Sequence, residues 1–260
     1  MGEIGSGEQS KIIDQSILSP VTPIEQTSFW NLEGLLPEDD EKRFPEFMDK
    51  VQKESTLQVP KMSHAIAGFF SVPTEYIADT TPPVYVHDSI AGGSPKHRGK
   101  DNTILMPIGY AFAHYIGQTD DLRETQLHPG LAHEIGHYVQ MAAITKGDPS
   151  KFEAAYHQHN RIAFELFARL SERIICDDMN INLKHAQRTD FAPADEHIGM
   201  ALADEQYQKI KDLPPQERQR LALDIDQLMQ YIDPQVITDH AKSVEAAQIK
   251  FMQRRRMRRR

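Results

Sequence analysis

Two histidines four residues apart constrain this chain more than any other feature. With the residue between them they spell H-E-x-x-H over His133-Glu134-Ile135-Gly136-His137. On an α-helix, positions i and i+4 lie one above the other on the same face, so both imidazoles can aim at one point. The flanks carry no charge: Leu131-Ala132 precede the motif and Tyr138-Val139 follow it. Pro129-Gly130 can open the helix, and Gly147 with Pro149 can close it. Leu131, Ile135, Tyr138, Val139 and Met141 are its predicted buried residues, interleaved with the two histidines. The same five residues also fit an ordinary amphipathic helix with two surface histidines, and the helical context favours the first reading.

Neutral imidazole suits a zinc ion, and a catalytic zinc site has three protein ligands and one open position. Glu134 sits beside the first histidine, where its carboxylate can reach a water rather than the ion. The ion lowers the pKa of that water and the carboxylate takes the proton. The motif therefore predicts one Zn2+ ion and peptide-bond hydrolysis, with Glu134 as general base. A third histidine six residues on would complete a compact ligand set, but that position is Ala143. The third ligand must come from later in the chain. A long helix predicted over 151–176 offers Glu153, His157, His159, Glu165 and Glu172, with Asp177 and Asp178 just past it. Glu165 lies within Ile162-Ala163-Phe164-Glu165-Leu166-Phe167, where an unpaired buried carboxylate is costly and a zinc ion removes the cost. Pairing with Arg161 or Arg169 is the competing account. Glu172, one heptad on and on nearly the same face, is the alternative ligand.

The stretch Phe164-Glu165-Leu166-Phe167-Ala168-Arg169-Leu170-Ser171-Glu172 resembles the E-F-F-A helix of gluzincin metallopeptidases of the anthrax lethal-factor type, with Leu166 in place of the usual phenylalanine. The likeness covers about residues 84–175. It implies that Glu165 binds the zinc and that a zincin-like small sheet lies beside the H-E-x-x-H helix. It also implies a tyrosine or histidine hydrogen-bonded to the developing oxyanion. Tyr156, His157 and His159 are candidates for that role, although a polar helix start explains them equally well. Asp177 or Asp178 is a candidate to orient a ligand histidine, or the pair simply ends the helix. His87, His97, His114 and His128 read as surface histidines.

The fold class this predicts is α+β and mostly helical. It comprises a polar, partly disordered segment over 1–43, a zincin-like core over 44–180, a helical lobe over 181–252 and an Arg-rich tail over 253–260. Short helices are expected at 45–55, around Met62, Ile66, Phe69 and Phe70, and over 73–78. Val84-Tyr85-Val86 and Asn102-Thr103-Ile104-Leu105-Met106 are predicted strands, with Ala91-Gly92-Gly93-Ser94-Pro95 a loop between them. The second strand either offers a free edge to an extended peptide or forms a purely structural hairpin. Later helices are expected at 194–212, 215–232 and 235–252, the middle one with Leu221, Ile225, Leu228, Met229 and Ile232 as its core stripe.

A single cysteine, Cys176, excludes an intramolecular disulfide and suits a reducing cytoplasm, whether of the producing cell or of a target cell. No secretory signal or transmembrane run is expected. The tail over Arg254–Arg260 holds six of the 29 basic residues, leaving 23 against 38 acidic ones. It could contact nucleic acid, an anionic membrane or an acidic partner, or be a solvated terminus. No aromatics interleave with its arginines to stack on bases. Two function classes follow: an endopeptidase whose partner is a protein or peptide substrate, or a non-catalytic interaction protein with a structural or vestigial zinc site. The second would need a fourth protein ligand such as His157 or Asp177.

Overall fold

The computed structural model describes residues 38–78, 80–87, 96–107, 127–158, 161–181, 203 and 205–231, with isolated positions at 235, 238 and 242. The polar N-terminal segment before residue 38, the Arg-rich tail, the predicted helix over 235–252, His114 and His159 lie outside the described residues, as does the side chain of His87.

The architecture is mostly helical with one three-stranded sheet, the α+β class expected. Helix α1 runs Glu38–Phe69. The sheet contains β1 (Val84–His87), β2 (Lys96–Arg98) and β3 (Thr103–Pro107). Then follow α2 (Leu127–Thr145), α3 (Phe152–Gln158), α4 (Arg161–Asp178) and α5 (Pro215–Leu223). No helix among the described residues is long and apolar enough to cross a membrane.

Three expectations change. The two short helices foreseen between 45 and 70 are one helix of 32 residues that runs through Pro45 and Pro60. Both prolines are solvent-exposed, so the carbonyl that Pro60 leaves without a donor faces water. The opposite face buries Val51, Val59, Met62 and Ile66, and that packing holds the helix continuous. The single helix predicted over 151–176 is two, α3 and α4. The helix predicted over 215–232 stops at Asp224, which is extended (φ −131°, ψ 87°), and continues as a 3-10 helix over Ile225–Tyr231. Asp224 starts that new turn: its carbonyl accepts from the Gln227 N–H and its carboxylate from the Gln227 amide. Leu221 and Leu228 of the foreseen stripe are buried.

Helix α2 is the centre of the molecule. From Leu127 to Ala143 every residue except Gly130 is buried, so it is enclosed on all sides rather than amphipathic. It packs against α1, α3, α4, α5 and the sheet. Phe70 of the α1 end stacks on Phe167 of α4 at 4.3 Å, and Ile210, Leu221 and Leu228 join the same buried cluster. The C-terminus of α2 turns sharply at Gly147 (φ 79°), whose N–H reaches back to the Ala142 carbonyl.

The sheet order is β1-β3-β2, with β1 parallel and β2 antiparallel to β3. The strand foreseen as a free edge, Thr103–Pro107, is therefore the central one, and both its edges are used. The polar Lys96-His97-Arg98 escaped sequence reading because it lacks β-branched and aromatic residues. A four-residue turn, 99–102, joins it to β3, with Asn102 in the left-handed region (φ 47°) that asparagine tolerates. The outer edge of β1 is closed by a side chain. Gln52 of α1 donates to the Val84 carbonyl at 2.8 Å and accepts from the Val86 N–H at 3.1 Å, as a neighbouring strand would.

Candidate metal centre

His133 and His137 project from α2 towards α4, with ring centroids 4.8 Å apart. Glu165 of α4 meets them: its Oε2 lies 3.4 Å from His133 Nε2 and 3.8 Å from His137 Nε2. One donor atom from each of the three residues falls within 4.8 Å of the other two, and all three side chains are buried. Zinc bonds of about 2.0–2.2 Å at tetrahedral angles place ligand atoms roughly 3.3 Å apart, which these separations approach. Glu165 Oε2 is buried without a hydrogen-bond partner, the kind of orphaned carboxylate oxygen that a bound cation satisfies. Two imidazoles and one carboxylate are the donor chemistry of a divalent zinc-type ion. No fourth His, Cys, Asp or Glu joins the group among the described residues.

Gly136 makes the approach of the two helices possible. A Cβ there would meet Ser171 Cβ at 2.7 Å and Ala168 Cα at 2.9 Å. The small residues Gly136, Ala168 and Ser171 thus let α2 and α4 close in one turn from the ligands. The signal the sequence offered for this contact was a glycine inside a helical motif, which marks a packing or functional reason without naming the residues it faces.

Charge states suit metal binding. Burial lowers the His133 pKa, and the Arg169 guanidinium lowers it further against the opposing pull of Glu165, so the ring is neutral. Burial works to raise the Glu165 carboxyl, but the neighbouring His137 and His133 and then Arg169 outweigh it and hold the group at about 2. Arg169 pairs with Glu172, at 2.6 Å, and not with Glu165. Glu172 Oε2 in turn lies 3.9 Å from His133 Nδ1, on the side of the ring away from Glu165. The alternative ligand therefore stands behind a ligand histidine rather than in the cluster.

Glu134 is buried beside the centre, with Oε1 4.0 Å from His133 Nε2. Its other oxygen, Oε2, accepts the backbone N–H of His97 at 2.5 Å. His97 is no surface histidine. Its ring packs beside Tyr138 and Phe152 and hydrogen-bonds Asn102, and burial takes its pKa down to about 4. His128 is also buried, 3.8 Å from Glu54.

Of the three oxyanion candidates, Tyr156 stands edge-on to His137 with ring centroids 6.4 Å apart, and is 38% exposed. His157 is exposed beyond it, against the Tyr156 ring. Glu153 and Asp178 are exposed, and Asp177 is ion-paired with Arg173 at 3.1 Å. None of these, nor His157, joins the cluster. Compared with protein-family models, curated proteins and solved structures, the chain has no significant match in any of the three.

Proposed function

We propose that the protein is a zinc-dependent endopeptidase with a gluzincin-like active site. The observation that carries this reading is the convergence of His133, His137 and Glu165 on one buried point, with Glu134 alongside. These three residues would hold the metal. Bound there, zinc supplies a Lewis acid that makes water acidic enough to give up a proton near neutral pH.

The protein groups do the rest. Glu134 accepts the proton of the attacking water through Oε1 and delivers it to the leaving amine nitrogen. Tyr156, on the rim beside His137, donates its phenol hydrogen to the carbonyl oxygen as that atom gains charge. An extended peptide lies along β2. Gln52 occupies the far edge of the sheet at β1, whereas no strand flanks β2 on its outer side among the described residues. A strand edge grips backbone and needs no chain terminus, which favours cleavage within a chain. The lone cysteine suits action in a reducing cytoplasm.

The test pairs metal analysis with proteolysis. Wild type should bind one zinc per chain and generate new N-termini when mixed with a cell proteome. Glu134→Gln should keep the zinc and lose at least roughly a hundredfold in rate. Zinc binding with no cleavage of any substrate would overturn the enzymatic reading.

A further inference from the structure

The two oxygens of Glu134 face opposite ways: Oε1 lies 4.0 Å from His133 Nε2, and Oε2 accepts from main chain on the sheet side. His97 pairs with Ile104 of β3, yet its N–H donates to Glu134 Oε2. In an antiparallel pair, alternate residues turn their N–H away from the partner strand. The His97 N–H therefore points off the open edge of the sheet towards α2. A chain of polar contacts holds it there. His97 Nε2 bonds Asn102 Oδ1 at 3.0 Å, and Asn102 Nδ2 donates to the Thr80 carbonyl. Thr80 Oγ1 meets the Tyr138 hydroxyl at 2.9 Å, and that hydroxyl donates to the Ile77 carbonyl at 2.8 Å. Tyr138 is one residue past His137 on α2, so this chain locks the strand to the helix that carries the motif.

We propose that β2 is a positioning strand, and that the His97 N–H anchors Glu134 Oε2 so that Oε1 alone is presented to the reacting water. The inference rests on the hydrolytic reading and extends it. A glutamate side chain on a helix has three rotatable bonds, and an unanchored carboxylate would sample orientations in which neither oxygen faces the centre. A main-chain donor fixed by a sheet and a buried polar chain removes that freedom before substrate arrives. It also commits the outward N–H of His97, so an extended substrate pairs with β2 without that donor.

The experiment uses the zinc-loaded full chain and separates the N–H from the ring. His97→Pro deletes the donor, and because the N–H faces away from β3 no sheet hydrogen bond is lost. His97→Ala removes the ring and keeps the donor. With the best-cleaved member of a pooled library of internally quenched peptides, the Pro form should show kcat roughly tenfold to a hundredfold below the Ala form, with KM and zinc affinity alike. A second measurement needs no turnover. Amide hydrogen exchange at His97 should quicken roughly tenfold or more in Glu134→Ala relative to wild type, and less in Glu134→Gln, which keeps an acceptor oxygen. Equal kcat in the Pro and Ala forms of a cleaving enzyme overturns this inference alone, as does His97 exchange indifferent to Glu134. A wild type that cleaves no peptide overturns the hydrolytic reading, and this inference with it.

Discussion

Gly136→Ala adds a single methyl group to the tightest helix–helix contact in the site. The new Cβ would sit 2.7 Å from Ser171 Cβ, 2.8 Å from Ser171 Oγ and 2.9 Å from Ala168 Cα. Carbon atoms rest about 3.5–4.0 Å apart, so α2 and α4 must separate by roughly 0.6–1 Å. Rotating Ser171 does not help, because its Cβ and the Ala168 Cα move only with the backbone. Overpacking of this kind costs about 1–3 kcal/mol. Alanine recovers about 1 kcal/mol over glycine inside a helix. The net loss of stability is then about 0–2 kcal/mol, a Tm drop of about 0–8 °C for a chain this size.

The metal site should suffer more than the fold. His133 and His137 ride on α2 and Glu165 on α4, so the same shift lengthens the 3.4 and 3.8 Å separations. A zinc site tolerates only about 0.2 Å in its bond lengths. Competition with a calibrated chelator should show zinc affinity falling more than roughly tenfold, while the metal-free Tm falls by no more than about 8 °C. Zinc binding within about threefold of wild type, together with an unchanged or higher Tm, would refute the claim that this glycine sets the ligand spacing.

Chelating the metal should lower Tm by about 5–10 °C when zinc had been present at about a hundred times its Kd, read by thermal melting with and without chelator. Glu165→Gln should lose zinc affinity by a larger factor than Glu172→Gln, for which roughly 10–100-fold is expected of a residue behind the ligand; equal losses by calorimetry would refute the assignment. Gln52→Ala should cost about 1–3 kcal/mol by removing both hydrogen bonds at the β1 edge, and light scattering should detect association through that edge. Burial, with Glu172 beside it, pushes the Cys176 thiol up to about 12. Maleimide at pH 8 should therefore label Cys176 only after denaturant is added. Because the folded value is raised, the stability this thiol contributes is complete below its unfolded value of about 8.5 and is lost as pH rises towards about 12, which alkaline denaturation curves would register.

Legibility in the sequence followed from how local the determinant was. The α2 helix was readable because histidine spacing and an uncharged run both report a local period. Val84–Val86 and Thr103–Met106 were readable because β-branched and apolar residues mark them. What escaped was non-local. Pro60 argues for a helix break, and only the packing of Met62 and Ile66 against the core shows why the helix continues. Lys96–Arg98 is a strand because β3 pairs with it. The Gly99-Lys100-Asp101-Asn102 turn before an apolar strand was the one hairpin signal available. His97 was misjudged for the same reason: its site role lies in its N–H, a group every residue but proline carries.

The choice between Glu165 and Glu172 shows what periodicity alone cannot decide. Seven residues on a helix return to nearly the same face, so the two carboxylates are equivalent in projection, about 10 Å apart along α4. Histidine breaks the equivalence because its ring is polar at both ends. As α2 advances from His133 to His137, its contacts on α4 move back from Glu172 to Glu165, so the helices run antiparallel. His133 then lies between the two carboxylates, with Nε2 turned to Glu165 and Nδ1 to Glu172. Each nitrogen selects a different task. The carboxylate on the Nε2 side also reaches His137 and joins the donor cluster. The one on the Nδ1 side stands 3.9 Å from the ring, behind it rather than in the donor cluster, and is itself held by Arg169 at 2.6 Å. Were Arg169 to pair with Glu165 instead, it would set a fixed positive charge beside a group that could hold a metal ion; its pairing with Glu172 is compatible with a cation between Glu165 and the histidines.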